Sequence, residues 1–165
     1  MLIKYIVDLV YNFTKNIEET FSPGSVLLDM RRSVQLDSYS CGVECVYMIL
    51  NYYGLEKALK EISKGLKTTK KDGTDTLPIL KYLKKCGLKV SVNKNAGLSE
   101  IHSAIVNSHP ILISVDETEH WVIVYGYSAN SIFILDPSGK SIWNKWELKE
   151  FFNRWDDDWI AEVMI

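Results

Sequence analysis

Between Leu2 and Glu19 the polar residues Lys4, Asp8, Asn12, Lys15 and Glu19 recur at helical spacing. They leave Ile3, Ile6, Val10 and Phe13 as an opposing apolar stripe. The pattern predicts an amphipathic helix, ended by the turn-forming Ser22-Pro23-Gly24-Ser25, and the extended stretch VLLDMRRSVQL follows it. From Cys41 to Tyr53 nearly every position is apolar, which predicts a central helix buried on most of its circumference, with Gly54 as its C-terminal cap. Residues 55–66 and 77–87 read as two more amphipathic helices separated by the polar loop KTTKKDGTD, with Pro78 in the first turn of the second. LKVSVN alternates as a strand, and Ser99 is expected to cap a short helix, EIHSAIVN. Beyond it the β-branched and aromatic runs ILISV, WVIVYGY and SIFILD predict an antiparallel meander, with WIAEVMI returning as a closing strand.

Helices come early and strands late. That order predicts an α+β fold in which a helical lobe carrying Cys41 packs on an antiparallel β-sheet lobe, with a cleft where they meet. The breaks divide the chain into an N-terminal amphipathic helix, residues 1–22, and a main domain, residues 23–165.

Composition narrows the partners. The 165 residues are 47% hydrophobic and 24% charged with a net charge of −2, as expected of one globular domain with its own core. Without a basic face the electrostatic footprint of a nucleic-acid binder is missing. No apolar run has the length of a membrane span, and Asp8 interrupts any signal-peptide core. The three cysteines are an odd number, and Cys41 and Cys45 are badly placed for a disulfide on one helix. Free thiols point to a reducing compartment, so a cytoplasmic protein is expected.

The candidate chemistry comes from hairpin arithmetic. His120 lies eight residues before Ser128 and Asp136 eight after it. A turn centred there sets the two across neighbouring strands with Cβ atoms about 5 Å apart, and a one-residue shift of the turn leaves them diagonal neighbours. A carboxylate beside a histidine fixes its tautomer and frees the other ring nitrogen to take a proton. Cys41, at a helix N-terminus, is the matching nucleophile, because the helix dipole and a nearby imidazolium favour the thiolate. Gln35 could join the Cys41 backbone N–H as an oxyanion donor, and Gly42 is expected to leave room for substrate.

These segments resemble a known family. QLDSYSCGVECVYMILNYYG, then DGT, HWVIVYGY, LDPSGK and an aromatic helix, in that order from about Gln35 to Trp155, are similar to the cysteine peptidases of family thirty-nine, papain-like domains that remove double-glycine leader peptides. The resemblance implies Cys41 as nucleophile, His120 as base and then acid, Asp136 as its orienter and Gln35 in the oxyanion hole. It implies cleavage after a small-residue pair, no cofactor, and a peptide or precursor-protein substrate. Family members are commonly the first domain of a membrane exporter; a stand-alone domain is expected here, with a separate exporter as an implied partner. Ser40 stands where the family often has Asp, Glu44 where a small residue is usual, and the N-terminal helix is additional. The alternatives of other classes are a papain-like domain that binds a leader without cutting it, and a transferase using the same thioester chemistry.

Other residues read as structural. Cys45 shares a helix face with Met48, Ile49 and Tyr52, and Cys86 sits at a helix end. No second cysteine pair or HxxxH spacing accompanies them to make a zinc site. His102 and His109 have no hairpin-registered carboxylate; DETEH and KTTKK read as solvated loops; Trp143, Trp146, Phe151, Phe152, Trp155 and Trp159 read as core. The first helix is expected to cover an apolar patch on the domain. Docking to an exporter, peripheral contact with a membrane surface, and occupation of the groove meant for a substrate's leader helix are its other readings.

Overall fold

The extended chain before the nucleophile candidate alternates with the period of a strand as far as Arg32: Leu28, Met30 and Arg32 are buried and Asp29 and Arg31 exposed, after which Ser33 and Val34 are both buried. This strap, residues 28–35, runs between an N-terminal helix, α1 (Leu2–Thr20), and the rest of the protein, and it follows a two-residue strand, β1 (Val26–Leu27). The structure, a computed structural model, describes residues 1–165.

After the strap come α2 (Cys41–Tyr52), α3 (Leu59–Leu66), α4 (Thr76–Lys85), β2 (Lys89–Asn93) and α5 (Leu98–Val106). The second half contributes β3 (Ile111–Val115), β4 (His120–Tyr127), β5 (Ser131–Leu135), β6 (Lys145–Glu147), α6 (Leu148–Arg154) and β7 (Ile160–Met164). The fold is α+β, with six helices and an open antiparallel sheet of seven strands in the order β2-β7-β3-β4-β5-β6, and β1 paired to β4. One continuous core joins α2 to the sheet: Cys45, Val46, Ile49 and Leu50 meet Ile113, Val122 and Val124 within a single cluster of fully buried side chains.

Several expectations need correction. The third helix begins at Leu59 rather than at Leu55, because after Gly54, at φ +70, the chain runs outside any helix to Ala58, whose own backbone is extended. α5 is entered through Gly97, whose N–H donates to Glu100 Oε2 at 2.8 Å, so Ser99 lies inside the helix. β7 does not close an edge but inserts between β2 and β3. Of the aromatic group, Trp146, Phe151 and Trp155 are core, whereas Trp143 and Phe152 are exposed.

The largest correction is the orientation of α1. Its apolar stripe, with Ile3, Ile6, Leu9, Val10, Phe13 and Ile17, faces outward, and its polar face packs on the domain. Unpaired backbone groups on the strap supply the reason, since each needs a partner once it is covered. Asn12 brackets Arg32, its Nδ2 donating to Arg32 O at 2.7 Å and its Oδ1 accepting from Arg32 N at 2.8 Å. Glu18 accepts from the Asn144 and Lys145 amides, and the Tyr11 hydroxyl donates to Gly139 O at 2.6 Å. Lys15 is buried against Glu19 at 2.8 Å. No helix is long and apolar enough to cross a membrane.

Candidate active site

Cys41 opens α2, and the first bond of that helix runs from Glu44 N–H to Ser40 O. The amides of Cys41, Gly42 and Val43 therefore point out of the helix end without an intrahelical acceptor. The turn into the helix is set by Asp37, whose Oδ1 accepts from the Tyr39 and Ser40 amides. Gly42 serves packing rather than substrate access. A Cβ there would come within 2.8 Å of Thr74 Cβ and 3.2 Å of Trp121 Cδ1, so only glycine lets α2 sit this close to the loop before α4.

His120 begins β4 and Asp136 follows β5. The β4–β5 register pairs Ile123 with Leu135, and beyond an irregularity at Tyr125 it pairs Gly126 with Phe133. Continuing the pairing past Ile123 sets Val122 opposite Asp136, so His120 is a diagonal rather than a direct neighbour of the carboxylate. The side chains nevertheless meet, with His120 Nε2 2.7 Å from Asp136 Oδ1. Residues 120 and 122 share a face of the strand, which is why the two-residue offset keeps the contact.

The pair is mostly buried, at 16% and 8% side-chain exposure. Burial opposes charge on His120, but the Asp136 carboxylate, which accepts from Nε2, and the neighbouring Cys41 side chain outweigh it and raise the imidazole to about 9. Burial likewise opposes the Asp136 carboxylate. The bonds from His120 and the Ser138 amide overcome that cost and bring it down to about 2. With Nε2 committed to Asp136, the other ring nitrogen is left for the thiol. Cys41 is 8% exposed. The arrangement holds an imidazolium at the start of α2, where Cys41 sits.

Gln35 leads into this turn. One N–H of its Nε2 donates to Asp37 O at 2.7 Å, and its Oε1 is buried without a partner. An amide carries two N–H donors, so one remains. The Gln35 backbone N–H donates to Pro137 O at 2.8 Å, which ties the strap to the loop carrying Asp136.

Two supports, Arg32 and Trp121, escaped the sequence reading, and a third, Glu44, was noted there only as a departure from the family. Arg32, 2% exposed, donates through Nε and Nη2 to Asp136 O at 2.9 and 2.6 Å and stacks on the Tyr11 ring at 4.6 Å. The period-2 alternation of Leu28, Met30 and Arg32 carried the signal that it points inward. Trp121, next to His120, donates from Nε1 to Thr74 O at 2.9 Å. Glu44, buried in the first turn of α2, accepts from Ser33 Oγ at 2.6 Å.

The remaining candidates lie apart. Cys45 is fully buried and its thiol is pushed well up by desolvation. His102 stacks on Tyr127. His109 does have a carboxylate partner, Glu162, at 2.6 Å; Ile111 pairs with Glu162, whereas Val115 pairs with His120, which puts this second pair at the opposite end of β3. Asp116 is not simply solvated but is gripped by Arg154, through Nε and Nη2, at 2.8 and 2.7 Å.

Known proteins resemble this chain in sequence and in fold. The chain is 31% identical over 124 residues to the lactococcin-G-processing and transport ATP-binding protein LagD of Lactococcus lactis, a match covering 73% of this chain and 17% of that protein. It is 27% identical over 128 residues to the pediocin PA-1 transport/processing ATP-binding protein PedD of Pediococcus acidilactici, covering 74% and 17%. The chain thus spans about one sixth of the length of these relatives. Among solved structures, a double glycine motif protease from an AMS/PCAT transporter, in complex with its leader peptide, superposes with a TM-score of 0.71 at 18% identity, covering 84% of this chain and 93% of that one. The peptidase domain of Streptococcus ComA superposes with a TM-score of 0.69 at 22% identity, covering 79% and 95%. These likenesses bear on the fold. The model of the Peptidase C39 family matches residues 30–161, most of the chain, and the protein belongs to that family.

Proposed function

We propose that the protein is a cysteine endopeptidase that removes a leader peptide after a small-residue pair such as Gly-Gly, acting through Cys41, His120 and Asp136. The observation that carries the reading is the His120–Asp136 contact at 2.7 Å, on a ring whose charge the neighbouring Cys41 side chain also favours. The names of the relatives, as processing proteins and as a double glycine motif protease, support the substrate class.

In this reading Cys41 Sγ attacks the scissile carbonyl carbon as thiolate, and the carbonyl π electrons move to oxygen. The resulting oxyanion is met by the Cys41 backbone N–H at the start of α2 and by the free N–H of Gln35 Nε2. Imidazolium His120 then gives its proton to the departing amine, the C–N bond breaks, and a thioester remains on Cys41. Neutral His120 takes a proton from water, whose oxygen attacks the thioester. Collapse of that second adduct releases the new carboxylate and regenerates the thiolate–imidazolium pair. Asp136 keeps the ring oriented and its charge stabilised throughout.

Mass spectrometry of synthetic precursors carrying a Gly-Gly pair tests the proposal. Wild type is expected to give two fragments cut after the pair, and Cys41→Ala none. Intact bound peptide, an amine adduct in place of the free carboxylate, or fragments from Cys41→Ala would each contradict it.

A further inference from the structure

The polar stripe of α1 is spaced to match the strap. Asp8 and Asn12 are four apart on a helix, about 6 Å along its axis. Val34 and Arg32 are two apart on an extended chain, about 6.6 Å. The two rises nearly coincide, so successive helical turns can serve successive same-edge residues of an extended segment. Lys4 Nζ donates to Val34 O at 2.7 Å, Asp8 Oδ1 accepts from Val34 N at 2.8 Å, and Asn12 serves both backbone groups of Arg32. The helix stands where a neighbouring strand would otherwise pair.

The contacts continue into the catalytic centre. Lys4 Nζ also donates to Ser33 Oγ at 2.8 Å and lies 3.2 Å from Glu44 Oε2, three residues beyond Cys41. Val34, held on both its polar groups, precedes Gln35, whose own N–H holds Pro137 beside Asp136. One stripe on α1 thereby sits behind the oxyanion candidate, the nucleophile helix and the aspartate loop. The helix lies outside the segment that matches the family.

We infer that Lys4 and Asp8 are positioning residues for the catalytic centre: by clamping the backbone of Val34 they fix Gln35 for oxyanion stabilisation, so α1 supports turnover rather than competing with substrate. The inference rests on the peptidase reading above. Alkylation of Cys41 by iodoacetamide is displacement at a saturated carbon and forms no oxyanion, so it reports on Cys41 and His120 without Gln35. Peptide cleavage needs all three.

The test uses the full chain with Asp8→Ala, which removes the acceptor for Val34 N–H, and Asp8→Asn, which keeps an oxygen there without the charge. Asp8→Ala is expected to lower kcat for a synthetic Gly-Gly precursor peptide about tenfold, part of the roughly 100- to 1000-fold cost of losing an oxyanion donor outright. KM and the iodoacetamide rate at Cys41 are expected to stay within about twofold, and Asp8→Asn to recover most of kcat. Hydrogen exchange should quicken at Val34 and Gln35 in Asp8→Ala and not within α2. Unchanged or faster cleavage by Asp8→Ala, an equal loss of alkylation, or no recovery in Asp8→Asn would overturn the inference. Should wild type cleave none of the peptides, the peptidase reading falls, and the exchange measurement still decides whether the clamp exists.

Discussion

His120 keeps a charge that its burial opposes, and this sets a pH limit on turnover. Its imidazole is raised to about 9, so the ring is protonated up to that pH and neutral above it. The leaving amine needs that proton, so kcat/KM is expected to fall as pH rises through about 9. Asp136→Asn removes the carboxylate that holds the charge, and the alkaline limb should then move toward lower pH by about one unit or more. A limb that stays in place, read from kcat/KM against pH for both proteins, would separate Asp136 from the ring it contacts. The His120–Asp136 contact was legible in the sequence because strand periodicity brings 120 and 136 onto one face even when the register is off by two. Arg32 was not picked out, although its alternation with Leu28 and Met30 put it indoors. A charge inside is stable only with partners, and those partners, Asp136 O and Ser141 O, lie more than a hundred residues away.

Among the helices, one face was misread. The period of α1 was read correctly and its buried side inverted, because hydrophobic patterning assumes that apolar stripes turn inward. The assumption failed where a covered strap offered backbone donors and acceptors that only polar side chains could satisfy. Close packing at α2 leads to a separate expectation. Gly42→Ala gains about 1 kcal/mol of helix propensity. It also places a Cβ 2.8 Å from Thr74 Cβ, in a loop pinned by the Trp121 bond to Thr74 O. Overpacking of this kind costs about 1–3 kcal/mol. The loss should prevail, and a lower urea midpoint is expected. A variant as stable as wild type would mean that the loop before α4 yields freely.

Across the whole molecule, the order of helices and strands was enough to anticipate an α+β fold with Cys41 on the helical side and the His–Asp pair on the sheet. Strand order was not legible: β7 slots between β2 and β3, a placement set by long-range pairing that no local pattern encodes. What the fold achieves is a meeting of α2 with the edge where β4 begins and β5 ends, so that a thiol from one half faces an imidazole from the other. The most direct test is intact-mass analysis of the protein trapped by acid within the first turnover of a Gly-Gly precursor peptide. A covalent adduct with the mass of the N-terminal fragment, mapped to Cys41 and missing in Cys41→Ala, is expected. Fragments formed with no adduct at any time, or an adduct mapped to Cys45 or Cys86, would contradict the assignment of Cys41 as the nucleophile.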